Sequence, residues 1–109
     1  MTKITIYRNQ NQEVERFFCT GHAGYAESGS DIVCAGISTL VINTINSIEA
    51  FTSVAFVCEA DEESGDIDFR FTESISSDAA LLIESMILGL KGIQNDYGKK
   101  FLILDFKEV

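Results

Sequence analysis

The apolar residues of this chain change their period along its length, and that alternation restricts the fold more than any other feature. Over 66–72, Ile67, Phe69 and Phe71 alternate with Asp66, Asp68 and Arg70. A period of two gives a strand one buried and one wet face. From Ser30 or Asp31, either of which can cap a helix, to about Ala50 the period lengthens. Ile37, Leu40, Val41, Ile45 and Ile48 recur there at helical spacing and mark a buried stripe. Leu82, Met86, Leu90 and Ile93 form a second stripe, after a cap at Ser77-Asp78 and before a stop at Gly98. Residues 3–8 and 13–19 read as strands joined by the polar turn Asn9-Gln10-Asn11-Gln12. Residues 52–60 pair with 66–72 around Asp61-Glu62-Glu63-Ser64-Gly65, and 101–106 form a last strand. The order ββαββαβ predicts an α+β fold, a mostly antiparallel sheet with two helices packed on one face.

With 109 residues and no linker, proline or repeat, the expectation is a single domain over 1–109. The N-terminus, Met1-Thr2-Lys3-Ile4-Thr5-Ile6, alternates like a strand and does not read as a signal peptide. No uninterrupted run of about 18 apolar residues suggests a membrane partner. A formal net charge of −9 argues against a direct nucleic-acid partner, because phosphate binding needs a basic surface. The same charge would attract a basic protein or peptide, or simply keep the domain dispersed. Cys19, Cys34 and Cys58 are an odd set without a C-x-x-C pair, which favours free thiols in a reducing compartment. With His22 the sole histidine, neither a metal site nor a cofactor is expected.

The chemistry-bearing stretch is 21–38. Cys34 is expected in the first turn of the long helix, where N–H groups without intrahelical partners carry partial positive charge. A thiolate is stabilised there, and the same N–H groups would stabilise an oxyanion. His22 lies at the far end of a loop, residues 20–30, that holds Gly21, Gly24 and Gly29 and is mobile by composition. About eleven residues suffice for His22 to fold back onto Cys34, take its proton and return it to a leaving amine. Asp31 and Ser38 stand three residues before and four after Cys34, on its helix face. Asp31 either orients His22 or caps the helix, and Ser38 equally suits a back-bond to a helical carbonyl. Tyr25 reads as a loop anchor or a substrate contact. Cys34 alone would also serve as a small core residue, and core packing is the expectation for Cys19 and Cys58.

Gly21-His22-Ala23, Tyr25-Ala26, Gly29, Asp31-Ile32-Val33-Cys34-Ala35 and Ser38 together resemble the signature of the ribosomal-processing cysteine protease family, Prp. The resemblance implies an endopeptidase that removes the N-terminal extension of a large-subunit ribosomal protein precursor, number twenty-seven, cutting after a phenylalanine in a short apolar motif. It implies His22 and Cys34 as base and nucleophile, with Gly21, Asp31 and Ser38 as supporting signature positions. It further implies a cytoplasmic homodimer whose glycine-bounded loop moves when substrate binds. Gly36 departs from the alanine that many members carry, at a cost of up to about 1 kcal/mol inside a helix. The alternatives are a non-catalytic ribosome-associated or assembly protein that binds the same partner, and a thiol-based redox or acyl-transfer protein. The first would show an unreactive Cys34, and the second lacks a resolving cysteine in the motif.

Overall fold

In the computed structural model the described residues are 2–21 and 30–109, with Ser30 and Asp31 described by backbone alone. The elements are β1 (Thr2–Arg8), β2 (Val14–Thr20), α1 (Ser30–Phe51), β3 (Phe56–Ala60), β4 (Ile67–Phe71), α2 (Ser77–Tyr97) and β5 (Leu102–Glu108). They occur in the expected order, ββαββαβ, and the strands form one sheet ordered β3-β4-β2-β1-β5. Three of its pairings are antiparallel, and β1 with β5 is parallel.

Local chemistry sets the boundaries. In the first hairpin the Asn9 side-chain Oδ1 accepts from the N–H groups of Asn11 (2.8 Å) and Glu13 (3.1 Å). Gln12 adopts φ 64° to close that turn. The α2 cap lies one residue earlier than Ser77. Ser76 Oγ accepts from the Ala79 N–H at 3.4 Å and donates to Asp78 Oδ1 at 2.5 Å. Asp78 also accepts from Ala79 N–H at 2.9 Å. Gly98 stops α2 at φ 96°, as its position after the stripe predicts. Strand β3 starts at Phe56 rather than residue 52. Thr52 closes α1 instead, its N–H and Oγ1 both donating to the Ile48 carbonyl at 3.1 and 2.7 Å.

Cross-strand register explains why both helices lie on one side. Ile4, Cys19 and Ile67 form one row, and Ile6, Phe17 and Phe69 the next. All six are buried. Phe17 stacks on Phe69 at 4.9 Å and Phe56 on Phe69 at the same separation. Val33, Ile37, Val41 and Ile48 of α1, and Ala79, Ile83, Met86, Ile87 and Leu90 of α2, complete this core. The opposite face is polar and aromatic. Arg16 forks onto Asp68 at 2.8 and 2.7 Å and lies over the rings of Tyr7 and Phe18. Segment Ile32–Phe51 is long and apolar enough to cross a membrane by length and composition, but in this fold its stripe packs into the core and against α2.

A glycine of α2 meets α1 at Leu40. A Cβ built on Gly89 would stand 2.6 Å from Leu40 Cδ2, so the α1–α2 approach at that point depends on the missing side chain. Helix α2 lies toward the β5 edge. Gln94 Nε2 donates to the Leu102 carbonyl at 3.1 Å, and Lys91 sits over the Phe106 ring. Helix α1 therefore runs over the other half of the sheet.

Candidate active site

Strand directions bring the site's ends together. Lys3 opposes Thr20, Cys19 opposes Ile67, and Ala60 opposes Ile67, so the start of β1, the end of β2 and the β3–β4 turn share one end of the sheet. Only residues 52–55 separate α1 from β3. The C-terminus of α1 is thus tied to the Phe56 end, and its N-terminus points to the end where β2 stops. Gly21 follows β2 directly and adopts φ 75°, a left-handed conformation that disfavours a side chain. A glycine is needed there for the chain to leave the sheet. His22 comes next, and the expectations for residues 22–29, including His22 as base, Tyr25 as anchor and the loop's mobility, fall outside the described residues.

Cys34 is the fifth residue of α1, one position beyond the expected first turn. Its own N–H has the carbonyl of residue 30 as its helical partner. The unpaired N–H groups of the helix start belong to residues before it. Helical side chains lean toward the N-terminus, however, so the Cys34 thiol lies over that first turn. The positive end of the helix remains the local field at Sγ. Ser30 and Asp31 are the first two helical residues described, and the expectation that one of them caps α1 lies outside the described side chains. Asp31 keeps its place three residues before Cys34, with a first-turn acid favoured by the dipole. Ser38, four residues after Cys34, shares its face and is half-buried.

The helix also fixes which way Cys34 faces. Gly36 and Leu40 flank the buried stripe on the α2 side, because a Cβ at Gly36 would lie 3.8 Å from Ile93 and Leu40 abuts Gly89. Cys34 and Ser38 flank the stripe on the opposite side, toward β4 and β3. Cys34 is half-buried and free.

The other thiols differ. Cys19 is buried in the core as expected, and burial first, then the neighbouring Cys58 and Asp66, pushes its pKa up to about 12. Cys58 corrects the expectation of core packing, for it is exposed. It belongs to an edge strand that no helix covers, and the acidic residue following it, Glu59, was the available sign. Its pKa is also raised, by partial burial first and then by the Asp68 and Glu59 carboxylates.

One surface depression borders this region, and a second opens on the sheet face away from the helices. The first is apolar, on the α2 side of α1, lined by Ala35, Gly36, Thr39, Leu40, Asn43 and Ile93. The other is acidic, at the end of the sheet, where Phe18 and Ala60 lie among Glu59, Asp61, Glu62, Asp66 and Asp68. The acidic turn 61–65 stands at the same end of the sheet as Gly21, a placement that follows from strand register and not from the local sequence.

Comparison with known proteins identifies relatives of the same family and fold. Residues 1–101 match the family model described as cysteine protease Prp. The ribosomal processing cysteine protease Prp of Bacillus subtilis is 36% identical, with 89% of this chain and 90% of that protein covered. A crystal structure of the essential ribosomal processing protease Prp from Staphylococcus aureus, in complex with a substrate peptide, superposes with a TM-score of 0.91. It is 28% identical and covers 98% of this chain and 100% of that one. The same enzyme with a covalently linked product peptide gives a TM-score of 0.89 at 29% identity, with the same coverage.

Proposed function

Because this chain belongs to the ribosomal-processing cysteine protease family, Prp, we propose that it is the endopeptidase that trims the N-terminal extension from the precursor of large-subunit ribosomal protein number twenty-seven. The supporting observation is Cys34 itself, a free, half-buried thiol near the N-terminus of a 22-residue helix. The N–H groups at the head of that helix lie where an oxyanion would form.

In this mechanism His22 takes the Cys34 proton, and the thiolate sulfur attacks the scissile carbonyl. The oxyanion meets N–H groups at the head of α1, and the imidazolium returns its proton to the leaving amine. Water then attacks the thioester, with His22 as base, to release the acid and restore the thiol. Gly21 permits the turn that leads into His22. Asp31 and Ser38 occupy the supporting positions on the Cys34 face. A solved relative carrying a covalently linked product peptide supports the covalent step. The protein is proposed to act in the cytoplasm as a homodimer, with no direct nucleic-acid contact. Exposed Ile32, Ile42, Phe51, Leu81 and Leu88 supply apolar surface for a second copy.

The test is intact-mass spectrometry of the extended ribosomal protein after incubation with this enzyme. One cut, after a phenylalanine at the extension junction, is expected. An uncut precursor, or cuts scattered along the chain, would contradict the proposal.

A further inference from the structure

A peptide substrate must be held extended across Cys34, and among the described residues the sheet has two open edges, β3 and β5. Strand β5 lies on the α2 side, away from the flank that carries Cys34. Strand β3 lies on the flank that Cys34 and Ser38 face. Its last residue stands at the same end of the sheet as the root of His22.

The hydrogen-bond alternation of β3 determines which backbone groups are open. Asp61 N–H donates to the Asp66 carbonyl at 2.9 Å, and Thr72 N–H donates to the Ala55 carbonyl at 3.0 Å. Between those pairs the register is Glu59↔Asp68, Cys58↔Phe69 and Val57↔Arg70. Antiparallel pairs alternate between bonded and non-bonded. Val57 and Glu59 therefore direct their N–H and C=O groups inward to β4, whereas Phe56, Cys58 and Ala60 direct theirs outward. Among the described residues those three form an unpaired ladder, the arrangement that an added strand completes.

Charge selects the occupant. The β3–β4 hairpin carries Glu59, Asp61, Glu62, Glu63, Asp66 and Asp68 against one cation, Arg70. Of these, Asp68 is paired with Arg16. An extended segment with basic side chains fits this edge, and an acidic one is repelled. We infer that the open edge of β3 binds the basic part of the peptide substrate as a sixth strand, paired to Phe56, Cys58 and Ala60, and so lays the scissile bond against Cys34. The inference rests on the protease reading above.

Amide hydrogen exchange tests it, using the Cys34→Ala protein and a synthetic peptide that spans the extension junction and reaches into a basic stretch of the precursor. Wild-type enzyme is first shown to cut the same peptide. With peptide bound, the amides of Phe56, Cys58 and Ala60 gain protection of about tenfold or more, while those of Val57 and Glu59 do not change. Cys58→Pro removes an outward donor without touching a β3–β4 bond. It raises KM at least about fivefold while the fold, read by circular dichroism, is kept. Should that variant unfold, the exchange pattern still decides. Cleavage without the alternating protection overturns the edge proposal alone. Failure of wild-type enzyme to cut overturns the protease reading and the edge with it. Protection of the three amides without peptide, growing with protein concentration, assigns the edge to a second copy and overturns the proposal.

Discussion

Three thiols occupy three environments in this domain, and their chemistry should diverge accordingly. Cys19 is buried with its pKa near 12, so almost no thiolate exists at pH 8. Cys58 is open to reagents, but its pKa is raised by partial burial and by nearby carboxylates. Cys34 has the helix N-terminus beneath it. Iodoacetamide at pH 8, read by peptide mass spectrometry, is expected to label Cys34 first, Cys58 more slowly and Cys19 only after unfolding. Labelling of Cys58 before Cys34 would count against an activated nucleophile. The Arg16–Asp68 pair gives a second expectation at this scale. The hydrogen bond from Arg16, more than its charge, holds the Asp68 carboxyl below its ordinary range. A depressed carboxyl contributes stability above its unfolded value, near 4, and loses it as pH falls through the folded value. The advantage of wild type over Asp68→Asn should therefore be flat from about pH 7 to pH 5 and close below about pH 4. Because both side chains are partly exposed, its size is about 0.5–1 kcal/mol.

At the scale of elements, the glycines of the helix pair separate space from propensity. Gly36 has only Ile93 Cδ1 near a built Cβ, at 3.8 Å, and Gly92 has nothing within 4 Å. Alanine at either position should stabilise the fold by up to about 1 kcal/mol and raise the thermal midpoint. Gly89→Ala should fall below both, because its Cβ must displace Leu40 from 2.6 Å. Equal midpoints for the three variants would contradict this account of the α1–α2 contact. The elements themselves were legible because period two and period 3.6 are local signals. Ile67, Phe69 and Phe71 announced a half-buried strand, and Ile37, Val41 and Ile48 a helix stripe. Local signals failed where partners beyond the segment decided. Thr52 suits a strand by sequence, yet its bonds to Ile48 finish the helix before it. Cys58 suits a core strand by sequence, yet strand order puts it on an edge strand where it is exposed. The parallel β1–β5 pairing was equally invisible, since it joins the two ends of the chain. For the candidate site, the composition of residues 21–38 singled out Cys34 and its neighbours as candidates, but which flank of α1 faces α2 required the packing.

For the molecule as a whole, the charge of −9 sets an expectation for its encounter with a basic substrate. Long-range attraction weakens as salt shortens the Debye length from about 10 Å at 0.1 M to about 3 Å at 1 M. Cleavage at substrate concentrations well below KM should slow several-fold over that range, with kcat little changed. A rate indifferent to salt would leave the charge with a role in solubility alone. Helix α1 holds Cys34 near the end of the sheet where β2 stops, and Gly21 follows β2 at that same end. The most direct test is cleavage of the extended ribosomal protein, followed by intact-mass spectrometry, with wild type, Cys34→Ala and His22→Ala, each shown to be folded by circular dichroism. The account predicts a single cut by wild type and loss of at least about a thousandfold in rate in both variants. Cleavage near the wild-type rate by either folded variant would contradict it.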